Sequence, residues 1–236
     1  MGGVDAVIFD WGGTLSAFFD VDFLELWRPC ADALAPHRAD DLCRKLIEVE
    51  ERAWSRVHSD QRSSRLVEML AEATHELGLD PSAELVEEAA AAYLQAWTPY
   101  IVHEGDVAPT LRWLRERHIR TGLLSNTAWP RTFHEEALER DGLIELLDVR
   151  CYTSELTHIK PHELPFRVVL EALGVEPEAA VFVGDRPLDD IAGAKAAGMR
   201  AVLKPNHLVP THDTEPDAVI TSLADLPRLI EKWQWS

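Results

Sequence analysis

Asp10 closes an apolar run, Val4-Asp5-Ala6-Val7-Ile8-Phe9, and Trp11-Gly12-Gly13-Thr14-Leu15 follows at once. A β-rich run that stops at a carboxylate and two glycines predicts a buried strand delivering an acid to the carboxyl edge of a sheet. The glycines let the chain bend away and leave amides bare near that acid. An Asp so placed suits nucleophilic attack on an anionic group. Three more strand ends or adjacent loops carry polar groups: Ser125-Asn126, Lys160-Pro161, and Gly184-Asp185 with Asp189-Asp190. Taken singly, these read as a helix cap, a solvated lysine and a helix N-terminus with favourable dipole contacts. Taken together, they require elements that bring them to one place.

The elements read from the pattern do so. Residues 16–100 are helix-like almost throughout. Leu42, Leu46, Val49, Ala53 and Val57 form one stripe, and Leu66, Met69, Leu70, Ala73 and Leu77 another. Gly78 reads as the C-terminal cap of the second stripe's helix and Asp80-Pro81 as the start of the next, which carries Leu85, Ala89, Ala92 and Ala96. A first helix near 21–34 completes a four-helix module. From about residue 101, helices and strands alternate. Strands are expected at 119–124, 147–152, 180–183 and 201–203, and the Pro- and His-rich stretch 205–217 as a surface loop. Such alternation implies right-handed crossovers and a parallel sheet covered on both faces. The expected fold is thus α/β: a Rossmann-like doubly wound parallel sheet from residues 1–15 and 101–236, with an inserted α-helical cap at 16–100. In that frame the four polar segments share one crevice.

With 236 residues and 46% hydrophobic composition, the chain can bury a full core. Its formal net charge of −18 argues against nucleic acid and anionic membrane as partners. Cys30, Cys43 and Cys151 show no CxxC spacing, so free buried thiols in a reducing compartment are expected. No signal pattern opens the sequence, and no run reaches the roughly 20 apolar residues of a membrane span. The expectation is a cytoplasmic monomer or homodimer.

The order and spacing of the polar segments resemble the haloacid dehalogenase-like (HAD) hydrolase superfamily, in its phosphoglycolate phosphatase-like and dehalogenase-like branch. Phe9 to Leu15 looks like the first family motif, Leu124-Ser125-Asn126 the second and Lys160-Pro161 the third. The run Val183-Gly184-Asp185-Arg186-Pro187-Leu188-Asp189-Asp190-Ile191-Ala192-Gly193-Ala194-Lys195 looks like the fourth. The resemblance implies Asp10 as the nucleophile. It implies a Mg²⁺ site from the Asp10 carboxylate, the Gly12 carbonyl, Asp185 and Asp190, with Asp189 as an alternative to Asp190. Hard oxygen ligands suit that ion. Ser125 and Asn126 are implied in phosphate binding, and Lys160 in neutralising nucleophile and substrate. The expected substrate is a small phosphorylated metabolite. A divalent ion, Lys160 and bare amides would make a local positive pocket in a negative molecule, because remote carboxylates are screened beyond about 8–10 Å.

Position 12 departs from the phosphatase pattern. A second Asp there would protonate the leaving oxygen and then activate water, help worth typically 10²–10⁴-fold. Gly12 cannot do this. One reading is a phosphatase that is slow, favours good leaving groups, or borrows an acid such as Asp20, Asp22 or Glu25. A second is carbon–phosphorus cleavage, since Asp10-Trp11-Gly12-Gly13-Thr14 resembles the motif of phosphonoacetaldehyde hydrolases. Those enzymes need a cap lysine as Schiff base, and only Lys45 is available in the cap. Dehalogenation is the third, and the retained Gly184-Asp185 argues against it. A non-catalytic binder of a phosphorylated ligand is the fourth. Trp27, Trp97, Trp129, His158, His162 and Arg186 are candidates to line the pocket, each with an ordinary packing or loop role as its alternative.

Overall fold

The computed structural model of the chain describes residues 3–234. Six strands, β1 (Ala6–Phe9), β2 (Arg120–Ser125), β3 (Val149–Tyr152), β4 (Ala180–Gly184), β5 (Arg200–Leu203) and β6 (Ala218–Val219), form one sheet. The order is β3-β2-β1-β4-β5-β6 and every pairing is parallel. β1 is therefore central. Ile8 lies opposite Gly122 on one side and Phe182 on the other. This is the α/β, Rossmann-like architecture expected.

The period-2 alternation of the strands decides what covers each face. Val7, Phe9, Leu123, Val181 and Val183 pack with Leu111 and Leu114 of α5 (Val107–Glu116), Leu138 of α6 (Arg131–Arg140) and Ile230 of α9 (Leu226–Gln234). Ala6, Ile8, Leu124 and Phe182 pack on the opposite face with Phe166 and Val169 of α7 (Glu163–Leu173) and Ala194 of α8 (Gly193–Ala196). Strands covered on both sides read as continuous apolar runs, which is why β1 and β4 stood out in the sequence.

Between β1 and α5 lie α1 (Phe23–Leu34), α2 (Ala39–Ser55), α3 (Leu66–Glu76) and α4 (Ala83–Trp97). They bury an apolar cluster of their own, with Leu26, Trp27, Leu42, Leu46, Leu70 and Tyr93 at its centre. Trp27 stacks on Tyr93 at 3.7 Å between ring centroids. Burying each such side chain contributes about 1.5–3 kcal/mol. The chain enters and leaves this layer at neighbouring points: Ser16 pairs with His103, and the Ala17 amide donates to the Val102 carbonyl at 2.8 Å.

Four local features differ from expectation. α4 starts at Ala83 rather than at Asp80-Pro81, because the Ser82 hydroxyl accepts from the Leu85 amide at 3.3 Å and caps it. Pro187–Ala192 is a wide π-type turn ahead of the short α8, where one regular helix was expected. β6 and α9 follow the 205–217 loop and carry too short an apolar pattern to have been read. Of the amides expected to be bare after Asp10, those of Thr14, Leu15 and Ser16 converge on the Trp11 carbonyl and that of Gly13 on Ser16; the turn does not use those of Trp11 and Gly12. Cys30, Cys43 and Cys151 are free and buried. No helix among the described residues is long and apolar enough to cross a membrane.

Candidate active site

The carboxyl ends of β1, β2 and β4 deliver Asp10, Ser125 and Asp185 to one edge of the sheet, and Lys160 reaches them from the loop before α7. Lys160 is 1% exposed, and its ammonium donates three hydrogen bonds: to Asp10 Oδ1 at 2.7 Å, to Asp190 Oδ1 at 2.6 Å and to the Leu124 carbonyl at 3.0 Å. All three of its protons are engaged. The two carboxylates and their hydrogen bonds more than offset burial and hold the ammonium pKa above its usual range. The Asn126 side chain seats this lysine, donating to the Lys160 carbonyl at 3.0 Å and accepting from its amide at 2.8 Å. Asn126, expected to touch phosphate, lines the cavity as well as holding the lysine's main chain. Ser125 is buried and lines the cavity beside Asp10.

Asp10, Asp185 and Asp190 each place one oxygen within 4.8 Å of the others'. Asp190, and not Asp189, completes this cluster. The wide turn after Arg186 directs Asp190 inward, where its second oxygen accepts from the Arg186 amide at 2.9 Å. The turn needs Gly184, since a β-carbon there would sit 2.3 Å from Asp190 Oδ2. Gly13, at φ +82°, is equally required, because its β-carbon would sit 2.2 Å from Asp185 Oδ2. Asp189 is buried and lines the cavity nearby.

Two supports were not legible beforehand. Asn206 donates to Asp185 Oδ2 at 2.9 Å, and Lys204 donates to the Gly13 carbonyl at 3.1 Å and to Glu104 at 2.9 Å. Both lie around the start of the loop read as mere surface, and no local pattern marks them. Trp11 is likewise pinned from a distance: its indole donates to His103 Nε2 at 2.9 Å, and His103 Nδ1 lies 2.6 Å from Asp141.

The carboxylates are charged against their surroundings. Burial pushes Asp10 up to about 6, with Lys160 opposing, and Asp185 up to about 7, with Asp10 and Asp190 adding repulsion. Asp185 Oδ1 is buried with no hydrogen-bond partner. An orphaned carboxylate oxygen in an all-oxygen donor set, with an excess of negative charge, fits a hard divalent cation such as Mg²⁺. A stability consequence follows. A carboxyl whose folded pKa is raised holds its proton more tightly when folded, so its contribution is lost as pH rises through the folded value. The metal-free protein is expected to melt at lower temperature at about pH 8 than at about pH 5. Mg²⁺ should raise the melting temperature more at the higher pH, and thermal melts at both values, with and without the ion, check this. A Mg²⁺ shift absent at the higher pH would remove the metal-site reading.

A cavity of about 270 Å³ opens from this cluster toward the helical layer. Its lining includes Gly12, Arg186, Trp97 and Trp129. Trp27 does not line it; it is fully buried behind Tyr93. Of the acids considered as substitutes for one at position 12, Asp20 lines the cavity. Asp22 instead caps α1 by accepting from the Leu24 amide at 2.8 Å, and Glu25 is exposed away from the lining. Lys45 is bound to Glu48 at 2.5 Å and Glu76 at 3.1 Å and is not part of the lining. His158 and His162 stack on each other at 3.9 Å outside the cavity, and His162 caps α7.

Comparison with known proteins bears on this geometry. The sequence profile of the haloacid dehalogenase-like hydrolases matches residues 4–198. A phosphoglycolate phosphatase of Nitrosococcus oceani is 27% identical over 160 residues, spanning 65% of this chain and 70% of that protein. A glyceraldehyde 3-phosphate phosphatase of Methanopyrus kandleri is 36% identical over 126 residues, 53% of each chain, so the match spans about half of that relative's length. A 2-haloacid dehalogenase from Pseudomonas syringae pv. Tomato has a similar structure, with a TM-score of 0.67 and 26% identity over 98% of this chain and 99% of that one.

Proposed function

The chain belongs to the haloacid dehalogenase-like hydrolase family, and we propose that it is a Mg²⁺-dependent phosphatase acting on a small phosphorylated metabolite through an aspartyl-phosphate at Asp10. The observation that carries this reading is the buried cluster of Asp10, Asp185 and Asp190, with Lys160 bonded to Asp10 and Asp190, one oxygen of Asp185 unpartnered, and Asp10 lining the adjoining cavity. The named relatives that are phosphatases support the same chemistry.

In this reading the ion would be held by Asp10, Asp185, Asp190 and the Gly12 carbonyl, and when bound it would neutralise charge on the phosphoryl oxygens. Asp10 attacks phosphorus as the bond to the leaving alcohol oxygen breaks. Water then attacks the phosphoryl group, the bond to Asp10 breaks, and inorganic phosphate leaves. Lys160 stays protonated throughout; its bonds to Asp10 and Asp190 hold both carboxylates against mutual repulsion. Ser125 and the amides of Trp11 and Gly12 donate to the phosphoryl group. The departing alkoxide must take its proton from outside position 12, and Asp20 and Asp189 are the acids of the lining, besides the nucleophile, that lie on the chain segments flanking the nucleophile and the metal cluster. Residues 16–100 act as the cap that excludes bulk water and selects the leaving group. We place this activity in the cytoplasm, in a monomer or homodimer.

Carbon–phosphorus cleavage loses support because Lys45 is tied to Glu48 and Glu76 and no lysine of the helical layer lines the cavity among the described residues. Dehalogenation has no use for an added pair of buried carboxylates beside the nucleophile. The test is phosphate release from a panel of phosphomonoesters. Turnover is expected with Mg²⁺ and lost with EDTA. Tight binding of phosphorylated ligands without any release of phosphate would make the protein a binder instead.

A further inference from the structure

The cavity is unusual in its charge and its walls. Beyond Asp10 and Arg186 it runs between aromatic rings of the helical layer and the core. Trp97 and Trp129 pack against each other, tilted by 54° with centroids 5.0 Å apart, and Trp54 and Tyr93 also line it. Among the described residues, Arg186 is the only lysine or arginine in the lining. It sits among the catalytic carboxylates, whose charges act on it, and so belongs to the phosphate end. His134 also lines the cavity, but burial drives its pKa down to about 3 and the ring is neutral. The other end carries the opposite charge. Glu50 of α2 lines the cavity, and its carboxyl is held by the Trp27 indole at 2.8 Å, the Tyr93 hydroxyl at 3.3 Å and the Trp54 indole; burial pushes its pKa up, and these donors oppose that. A carboxylate has about four acceptor directions. Those three donors leave one direction for a ligand.

We propose that Glu50 and the surrounding indole and phenol rings bind a cationic leaving group, so that the preferred substrates are phosphate monoesters of amino or quaternary-ammonium alcohols. This rests on the phosphatase reading above and narrows it. An organic cation is attracted by aromatic faces and by a fixed carboxylate. A leaving group bearing its own carboxylate or phosphate would meet Glu50 with no cation to offset the repulsion. The net charge of −18 acts in the same direction, since a zwitterionic ester is repelled less than a polyanion.

The test compares kcat/KM, with Mg²⁺, for trimethylammonioethyl phosphate, its uncharged tert-butylethyl isostere and the carboxymethyl ester. The cationic ester should exceed its isostere by about tenfold and the carboxymethyl ester by more. In Glu50→Gln the ratio of cationic to uncharged ester should fall toward one. Equal or better turnover of the uncharged isostere by the wild-type protein overturns the proposal, whatever the variant does. A retained ratio in a folded Glu50→Gln protein overturns it as well. Should no ester be turned over, the phosphatase reading fails by itself. Tetramethylammonium quenching of tryptophan fluorescence then judges the cation site: saturable quenching, weakened in Glu50→Gln, supports it, and its absence in the wild type overturns it.

Discussion

Asp10→Asn is expected to lower phosphate release at least about 10⁴-fold while leaving the protein folded. The substitution keeps the shape of the side chain and removes the oxygen anion that would attack phosphorus. Lys160 keeps its bonds to Asp190 and to the Leu124 carbonyl, so the ammonium is not abandoned in the core. Asp10 lies at the end of the central strand, and its amide is fixed to the Val183 carbonyl at 2.9 Å, so the main chain has no reason to move. The measurement is steady-state phosphate release beside a thermal melt of each protein. Activity within tenfold of wild type in a folded variant would take the nucleophile away from Asp10.

Gly12→Asp is expected to move the rate the other way, raising kcat by about a hundredfold or more on esters with poor leaving groups. A β-carbon at position 12 meets no atom within 4 Å. Its backbone is not among those with positive φ, in contrast to Gly13 at +82°. An L-residue therefore fits, and the absence of an acid at this position is not enforced by crowding. The gain should be largest for alkyl esters and small for nitrophenyl phosphate, whose leaving group needs little protonation. A kcat unchanged on alkyl esters would mean that another acid of the lining already moves the proton, and Asp20→Asn in the same assay would then single it out or dismiss it.

The legible part of this molecule is the part that periodicity and strand ends govern. Ala6–Phe9 and Ala180–Gly184 are apolar on both faces, so they had to be buried strands, and parallel strands must end at one edge. That alone brings Asp10 and Asp185 together. The helical stripes around Leu46 and Leu70 follow from the same logic. The choice between Asp189 and Asp190 was open because it depends on the width of one turn, which a list of residue types does not encode. Asn206, Lys204 and Glu50 escaped notice for a different reason. Each acts on a partner brought near only by tertiary packing: Asn206 lies 21 residues from Asp185, Lys204 lies 191 from Gly13, and Glu50 lies 43 from Tyr93. Asn126 lines the cavity and also grips the lysine's main chain, a second role that only the bonded geometry reveals.

Ser16 and His103 lie side by side, and so do Ala17 and Val102. The ends of the intervening stretch are therefore clasped whatever happens between them. The entropy cost of closing that excursion rises only slowly with its length. Such a clasp lets the excursion drift, lengthen or be exchanged over generations without disturbing strand register, so that the reactive machinery and the preference for one alcohol over another can be inherited, and altered, separately.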